Sequence, residues 1–503
     1  MTKPRHTVHI RINDAATGLP TAARICFATP DGKNLAPLGL PQDFDDGPWA
    51  RVQGGQLISG GKTFAYIDGS CEIQLPAGRL SLEVSKGPEY LPLSDHVMLG
   101  AGKIGLRFAL RRLTNFRQEG WYSGDTAVFL ITPHAALLEA AAEDVAVANL
   151  LIFESSLPCT GTADRHKTAV LNMPAFSGQE PALQRPGHMV VVNTHNRHQQ
   201  LGSLALLNCH RPVFPLRAGE PPNLESWTLA DWCDQCHRKN GLVIWMRNQA
   251  WPEDNNARYE EALAELILGR IDGYDPGLHN FDENASGDWY RLLNIGLRIP
   301  LAAGSSKADL HTPVGNARTY AHIDSGLDFS YHSWIEAVRA GRSFVTLGPL
   351  LRFEVNNAGP GSVLALELST TKVVVRAEAK AVESFDRLEI VMNGEVIASA
   401  QVSDNCAALE IECDGARAKW MAARCLGTGP NFPVLAHSSA IYLEVNGRSR
   451  KVDVADIEIL CSRLQQSCEW VQSQSGCASE TQRARLIRIF EQAHGKVRGL
   501  AND

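Results

Sequence analysis

The middle of the chain, residues 116–346, alternates amphipathic helical stretches with short apolar runs, and this alternation limits the possible folds more than any other feature. Helical spacing is present in HAALLEAAAEDVAVANLL and SWIEAVRAG, and the apolar runs include MVVVN and LVIWM. Short continuous apolar runs between helices are typical of parallel strands that are covered on both faces. The pattern predicts an α/β barrel with its functional side chains at the carboxyl ends of the strands.

Strand-rich sequence lies on both sides of this region. Residues 1–115 and 347–452 contain short β-rich runs separated by turn clusters, which predicts two β-sandwiches, the second immunoglobulin-like in shape. Residues 453–503 have helical periodicity and predict a helical segment that caps the fold or makes a subunit contact. Because 503 residues are too many for one hydrophobic core, we expect a multidomain protein of the α/β plus all-β class.

The net charge and the N-terminal sequence indicate which kinds of partner the protein is expected to have. Lys and Arg number 48 and Asp and Glu number 55, so the net charge is −7 and there is no general positive field to attract a nucleic acid. The first residues, MTKPRHTVHIRIND, alternate like a strand and lack the basic and apolar regions of a signal peptide. No apolar run reaches the length of a membrane span. We therefore expect a cytoplasmic protein with neither a membrane nor a nucleic-acid partner.

Twelve cysteines are spread through the chain, mostly in apolar or helical stretches, and we expect them to be buried free thiols. Cys233, Cys236 and His237 have the C-x-x-C-H spacing that is used for covalent haem attachment. Their segment, LADWCDQCHRKNGLVIW, instead has the pattern of a helix that ends at Gly241 before a buried strand. The sequence therefore favours a structural role for this cluster.

Five separated motifs occur in a characteristic order. They are GWYSGD at 120–125, AED at 142–144, GQE at 178–180 with GH at 187–188, WYRLLNIGLRIPLAAG at 289–304, and GRSFVTLGPLL at 341–351. Together they resemble the carbaryl-hydrolase-like (CehA/McbA) family of PHP-domain metallohydrolases. The resemblance extends over nearly the whole chain and implies a distorted β/α barrel, flanked by N-terminal and C-terminal β-sandwich domains and followed by C-terminal helices.

The resemblance also implies a cluster of divalent metals in the barrel. In active members the ligands come from an H-x-H pair after Gly-Asp, an acid and a His in the GQE and GH segments, a strand-end His and a strand-end Asp. Several carboxylates offset the charge of close dications, and imidazoles fix their geometry. A bound water then becomes hydroxide near neutral pH.

Four of these six ligand positions carry residues that cannot ligate a metal in this way. The H-x-H positions are Ala127 and Phe129, the strand-end His is Arg247, and the strand-end Asp is Ser306. Only Glu180 and His188 match, and they fall short of the three protein ligands typical of a catalytic zinc site. The comparison with the family pattern predicts that the multi-metal centre does not assemble.

We define the relic pocket as the place where these metals would have stood. Loss of the metals would leave buried carboxylates without compensation, and a guanidinium could restore the balance. We therefore expect Arg247 to pair with Glu180 or with Asp125. The predicted members of the relic pocket are Asp125, Glu143, Asp144, Arg247, Ser306, Lys307 and His279, with Glu180 and His188 as residual metal ligands and Asp309 and His311 as possible substitutes.

Three functions are compatible with these residues. The first is a non-catalytic pseudo-hydrolase, without a cofactor, that binds a small anionic ligand or a protein partner in the relic pocket. The second is a metal-dependent hydrolase of an ester, amide or phosphoester with a rebuilt site around one zinc, manganese or iron ion. The third is a structural subunit that assembles through its sandwiches or C-terminal helices. His195 and His198 in NTHNRHQQ have metal-like spacing but are expected in a solvated polar loop.

Overall fold

The computed structural model describes residues 5–40, 54–100, 102, 104–155, 169–219, 226–247, 261–278, 283–367, 371–428, 433, 435–447, 452–473 and 477–501. Within these ranges the protein is a mixed α/β structure with strands in several sheets and seven α-helices. None of the described helices is both long enough and apolar enough to cross a membrane.

The N-terminal strands form two sheets around one core. The strands are β1 (Arg5–Asp14), β2 (Ala23–Ala28), β3 (Asn34–Leu35), β4 (Gln56–Ser59), β5 (Lys62–Ile67), β6 (Ser70–Pro76), β7 (Gly78–Ser85), β8 (Leu93–Leu99) and β9 (Gly105–Leu110). One sheet has the order β6-β1-β9, and the other has the order β4-β5-β2-β7-β8 with β3 beside β2. Alternate residues of the strands, among them Val8, Ile10 and Ile12 of β1, are buried in the shared core because successive side chains point to opposite faces of a strand.

The middle region contains strands and helices in alternation. Its elements are β10 (Trp121–Val128), α1 (Pro133–Ala142), β11 (Val147–Ser155), β12 (Ala169–Leu171), β13 (Leu183–Arg185), β14 (His188–His198), β15 (Gly202–Leu207), β16 (Arg217–Ala218), α2 (Leu229–His237), β17 (Leu242–Met246), α3 (Glu261–Leu268), β18 (Gly273–Asp275), α4 (Glu283–Asn294), β19 (Arg318–His322), α5 (Tyr331–Arg339) and β20 (Ser343–Thr346). Strands β10, β11 and β14 are parallel neighbours, and β17 is parallel to β18. Two isolated parallel bridges, Tyr274 with Leu301 and Val128 with Lys307, place residues 301–307 between β18 and β10.

One strand departs from the predicted parallel pattern. β15 lies antiparallel to both β14 and β17, and a short turn joins it to β14. The apolar run LALLN was expected to be another parallel strand, and that expectation is wrong. With only residues 199–201 between the two strands, the chain has no room for the crossover that a parallel pair needs.

Helix α5 packs against the inner faces of the strands. Its Trp334 and Ile335 belong to the same buried cluster as Ala127, Val191 and Ile244. The indole of Trp334 donates a hydrogen bond to the backbone oxygen of Tyr122 (3.1 Å). A Cβ atom at Gly124 would lie 2.2 Å from Trp334 Cζ2, so only glycine allows this approach.

The C-terminal strands extend the middle sheet. The elements are β21 (Leu350–Val355), β22 (Val363–Leu366), β23 (Lys372–Lys380), β24 (Arg387–Met392), β25 (Glu395–Gln401), β26 (Cys406–Asp414), β27 (Trp420–Leu426), β28 (Ala436–Ser438), β29 (Ile441–Val445), α6 (Val454–Ser473) and α7 (Glu480–Gly499). β28 pairs with β20, while β21, β23 and β26 form a separate sheet. The predicted C-terminal helices are confirmed, and they cap the fold, since α6 packs on α4 and α7 packs on α3.

The C-x-x-C-H cluster lies on a helix, as predicted. Cys233 and Cys236 are buried on α2, and His237 Nε2 lies 3.0 Å from Asp272 Oδ2. The described cysteines are all free thiols, and Cys236 Sγ lies 3.3 Å from Cys209 Sγ. The cluster therefore serves the packing of α2 against the sheet.

We predict that Gly124→Ala lowers the free energy of unfolding by about 1–3 kcal/mol, because the added methyl group must displace the indole of Trp334 from a filled core. Urea unfolding measures this loss. Gly100→Ala is the control, since a Cβ there meets no atom within 4 Å. Equal stability of the two variants would contradict the packing described.

Candidate functional site

The structure divides the predicted site residues between the two ends of the strands. Asp144 precedes β11 and His188 begins β14, so both lie at the amino ends. Glu180 shares a cleft of about 690 Å³ with Asn208 and Gly241, which lies just before β17. The expectation that these residues lie together at the carboxyl ends is wrong, because the AED and GH motifs precede their strands instead of following them.

Glu143 faces the N-terminal strands. Its Oε1 atom lies 2.5 Å from Arg24 Nη1 and accepts a hydrogen bond from the hydroxyl of Tyr66 (2.9 Å). Both partners lie in the sheet of β2 and β5. Glu143 therefore joins the end of α1 to the N-terminal sheet and is not part of a relic pocket.

Asp144 forms a second charged contact with the N-terminal region. Its carboxylate lies 3.1 Å from Arg112 and 3.1 Å from Arg117. Burial alone would raise the pKa of Asp144, but the nearby cations Arg117, Lys86 and Arg112 hold that pKa well below its usual range. His188 binds the backbone oxygen of Val145 through Nδ1 (2.7 Å). Burial, reinforced by Arg117, lowers the pKa of His188 to about 3, so this imidazole is neutral at pH 7.

Glu180 does not join His188 in a metal site. Its side chain is exposed in the cleft that also contains His237 and Arg339. His188 faces Asp144 and Arg117 instead. Among the residues that the structure describes, no three His, Cys, Asp or Glu side chains come together as a group that could hold a metal ion.

Asp125 is buried on β10 and is hydrogen-bonded by the chain itself. Its Oδ1 accepts from the backbone N–H groups of Ala127 (3.0 Å) and Ser305 (2.9 Å). Its Oδ2 accepts from the Ser305 hydroxyl (2.5 Å) and from the N–H of Gly315 (2.7 Å). Burial raises the pKa of Asp125, and these hydrogen bonds oppose that rise. The carboxylate therefore fixes residues 305–315 against β10.

Ser306 and Lys307 are both buried. Ser306 has a left-handed φ of 51°, and Lys307 is fully buried. The ammonium group of Lys307 lies 3.2 Å from Glu139 Oε2 and donates to the backbone oxygens of Asp309 and Thr312 (both 3.0 Å). Its charge is thus used within the fold, and the expectation that it lines the pocket is wrong.

Asp309 and His311 do not supply substitute ligands together. Asp309 Oδ1 accepts from the backbone N–H groups of His311 (2.9 Å) and Thr312 (3.0 Å), which stabilises a turn. His311 is exposed and lines a different cleft, beside Glu143. Within the described ranges these two residues do not converge with Glu180 and His188, and His279 lies outside them.

Arg247 pairs with a helix of the middle region. Its Nη1 atom lies 2.9 Å from Asp288 Oδ2 on α4 and donates to the hydroxyl of Tyr274 (2.7 Å). The expected pairing of Arg247 with Glu180 or Asp125 is therefore wrong. Arg247 follows β17 directly, which places it at the carboxyl end of that strand.

An aromatic cluster occupies the positions where the resemblance implied the H-x-H ligands. Phe129 packs edge-to-face against Phe153 and against His195, with ring centroids 5.4 Å apart in both pairs. Ala127 is buried beside them. The end of β10 therefore contributes apolar surface where metal ligands would be needed.

The polar run NTHNRH, expected in a solvated loop, is the second half of β14 and is mostly buried. Its outward-facing Asn196 donates to the backbone oxygens of Val213 (2.9 Å) and Pro215 (2.8 Å). On the inward face, Asn193 Oδ1 and His195 Nε2 are buried without a hydrogen-bond partner. Such atoms are uncommon in native proteins and mark a place where a ligand or water can bind.

Electrostatics distinguish this inward face further. Burial, with Arg197 as a second cause, lowers the pKa of His195 to about 3, so the ring is neutral at pH 7. Burial raises the pKa of Asp275, at the end of β18, to about 7. Arg197 and Arg217 lie opposite each other in the parallel pairing of β14 and β16. We call Asn193, His195 and Arg197 the β14 site.

Sequence reasoning missed the β14 site because its residues are polar on both faces of the strand. The available signal was the continuous extended run from MVVVN into NTH, followed after a short turn by GSLALL, a hairpin partner. No protein-family model matches the chain, and no curated protein matches it either.

We predict that Lys307→Met lowers the free energy of unfolding by about 3–5 kcal/mol, because it leaves the buried Glu139 carboxylate without its cation. Chemical denaturation measures the loss, and adding Glu139→Gln should recover part of it. Lys372→Met is the control, since Lys372 and Glu412 form an exposed ion pair. A loss at Lys307 no larger than at Lys372 would contradict the buried pairing.

We predict that His195→Leu raises the free energy of unfolding at pH 7 by about 1 kcal/mol, because it removes an unpaired buried polar atom. Between pH 6.5 and pH 3 the unfolded wild-type chain binds a proton at His195 that the folded chain does not. Wild-type stability therefore falls with decreasing pH, and the difference between the two proteins widens by up to about 1.4 kcal/mol per pH unit. Urea unfolding from pH 7 to pH 5 measures both effects.

The control is His134→Leu, at an exposed position on α1. It exchanges the same side chains without removing a buried polar atom. A variant at His195 that is less stable than wild type at pH 7, or a difference that narrows as the pH falls, would show that His195 has an internal partner.

Proposed function

We propose that this protein is a non-catalytic PHP-type pseudo-hydrolase that binds a small anionic ligand at the β14 site. The observation that carries the proposal is the packing of Phe129 against Phe153 and His195, at the positions where the resemblance implies metal ligands. The unpartnered polar atoms of β14 lie beside this cluster.

The strand pairing supports the PHP-like barrel that the proposal requires. Strands β10, β11, β14, β15, β17 and β18 follow one another in the sheet. The bridge from Tyr274 to Leu301 adds residues 301–307 after β18, and the bridge from Val128 to Lys307 returns to β10. We take these two isolated bridges as the join that would close the sheet into a barrel, and ligand sites of such barrels lie at the carboxyl ends of the strands. Arg197 and Arg247 lie at that end.

The side chains at this end are poorly suited to activate water. Ala127 and Phe129 carry no donor atom for a metal ion, and Asp125 already accepts four hydrogen bonds from the chain. His195 is neutral at pH 7, and its Nε2 atom has no hydrogen-bond partner that would position the ring. A general base needs a positioned partner and a pKa near the working pH, and His195 meets neither condition.

Binding places weaker demands on the same residues. Arg197 and Arg217 lie opposite each other in the pairing of β14 and β16, which places two cationic residues near the carboxyl end of β14. His195 and Asn193 can each exchange a hydrogen bond with a ligand, which would satisfy two buried atoms at once. These features favour a small molecule with a carboxylate or phosphate and at least one hydroxyl or amide group.

Isothermal titration of the full chain with inorganic phosphate and with succinate tests the proposal. We expect saturable binding of at least one anion, weakened at least about tenfold in Arg197→Gln, because a charged hydrogen bond to the anion is lost. Arg79→Gln, an exposed position on β7, is the matched control and should bind as wild type does. Titrations without heat, or equal binding in both variants, would count against the ligand.

Metal content tests the non-catalytic part separately. Protein purified without chelators should hold far less than one zinc, manganese or iron ion per chain when measured by plasma mass spectrometry. Near-stoichiometric metal together with hydrolysis of an ester, amide or phosphoester would instead support the rebuilt hydrolase.

A further inference from the structure

The C-x-x-C-H motif on α2 supplies one half of a buried thiol pair. Cys236 Sγ lies 3.3 Å from Cys209 Sγ, and Cys209 follows the end of β15. Both cysteines are free thiols. They are 27 residues apart in the chain, so the contact joins two separate segments, α2 and the end of β15.

Hydrogen bonds beside the pair hold these two segments together. Asn208 Nδ2 donates to the backbone oxygen of Asn240 (2.9 Å), and the backbone N–H of His210 donates to the backbone oxygen of Lys239 (3.2 Å). Because a disulfide bond is about 2.05 Å long, the two sulfur atoms would have to approach each other by only about 1.3 Å. Rotation of the two side chains can supply a shift of that size while the segments stay in place.

The thiol pair lies against the wall of an open cleft. Gly241 lines the cleft of about 690 Å³, together with Asn208 and His237, the chain neighbours of the two cysteines. A Cβ atom at Gly241 would lie within 2.5 Å of the sulfur atoms of both Cys209 and Cys236. Gly241 therefore belongs to the cleft wall on one side and contacts the thiol pair on the other.

The burial of the pair limits which oxidants can react with it. Cys236 is 0% exposed and Cys209 is 1% exposed, so a mixed disulfide with glutathione would have to place a tripeptide inside a filled core. Burial, reinforced by the hydrogen bond with Cys209, raises the pKa of Cys236, and this thiol is neutral at pH 7. Such a pair resists thiol–disulfide exchange and needs a small oxidant. Hydrogen peroxide is little larger than water and carries no charge.

We propose that Cys209 and Cys236 are a modification site at which hydrogen peroxide forms a disulfide that ties α2 to the end of β15. One sulfur attacks a peroxide oxygen, the O–O bond breaks, and a sulfenic acid and one water form. The second sulfur then displaces the sulfenic oxygen, which leaves as a second water as the S–S bond forms. The two thiols lose two electrons to the peroxide, and their protons leave in the two water molecules. This chemistry does not depend on the anion proposed for the β14 site.

Peptide mapping of the folded full chain after treatment with hydrogen peroxide tests the site. Trypsin cuts after Arg217, between the two cysteines, so the disulfide joins peptides 198–217 and 218–238 into one species. Its mass should be about 2 Da below the sum of the two peptides, and dithiothreitol should separate them. Oxidised glutathione at equal oxidising equivalents should give at least about tenfold less of the joined species.

Two alanine variants identify the sulfur atom on α2. Cys236→Ala should abolish the joined species. Cys233→Ala is the matched control, because it removes a buried thiol from the same helix and should leave the joined species in place. Equal yields from the two variants, or a disulfide confined to peptide 218–238, would overturn the proposal.

Wild-type protein in urea supplies a second measurement that requires no variant to fold. In an unfolded chain the short loop between Cys233 and Cys236 closes more readily than the longer loop between Cys209 and Cys236. The ratio of the joined species to the disulfide within peptide 218–238 should therefore be at least about tenfold higher in the folded protein. A ratio in the folded protein no higher than in urea would show that the fold does not direct this pairing.

Discussion

The negative charge of a buried carboxylate must be compensated by cations or hydrogen-bond donors, and this requirement determines many of the contacts in the middle region of the protein. Each of the buried carboxylates described below has its own partners within the chain, because an uncompensated buried charge is costly. The contacts are spread over the whole length of the region and differ in chemistry. Glu143 pairs with Arg24 and Tyr66, Asp144 with Arg112 and Arg117, Glu139 with Lys307, and Asp125 with Ser305 and backbone N–H groups.

These partners also attach the N-terminal sheets to the middle region. Arg24 and Tyr66 belong to β2 and β5, and Arg112 follows β9. Glu89, which is buried, accepts hydrogen bonds from the N–H of Phe116 (2.9 Å) and from the hydroxyl of Tyr320 (3.0 Å). Burial, with Asp144 as a second cause, raises the pKa of Glu89 to about 7. The interface is therefore a buried polar network, in which the loss of one member leaves others unsatisfied.

The sequence predicted the types of element well and the location of the site poorly. Alternating apolar runs and helices in the middle, strands in the flanks and helices at the C-terminus follow from periodicity, which is a local property. Whether Asp144 or His188 lies at the amino or the carboxyl end of its strand depends on where that strand begins, and boundaries are what local patterns determine least well. The burial of His195 was unpredictable for a related reason. The second half of β14 is polar on both faces. On the outward face Asn196 is polar because it donates hydrogen bonds to the backbone oxygens of Val213 and Pro215, and a contact with such a distant irregular segment cannot be inferred from the local sequence pattern.

Whether a buried polar group has a partner within the chain separates structural residues from candidate functional ones. Lys307 and Asp125 were predicted site residues, yet every contact described for them stabilises the fold itself. His195, by contrast, has a buried Nε2 atom without a hydrogen-bond partner, and the charge of Arg197 acts on its ring. A fold under selection for stability alone would replace such atoms with apolar ones, since an apolar group of the same shape costs less. The unpaired atom of His195 is therefore better explained by a ligand than by packing.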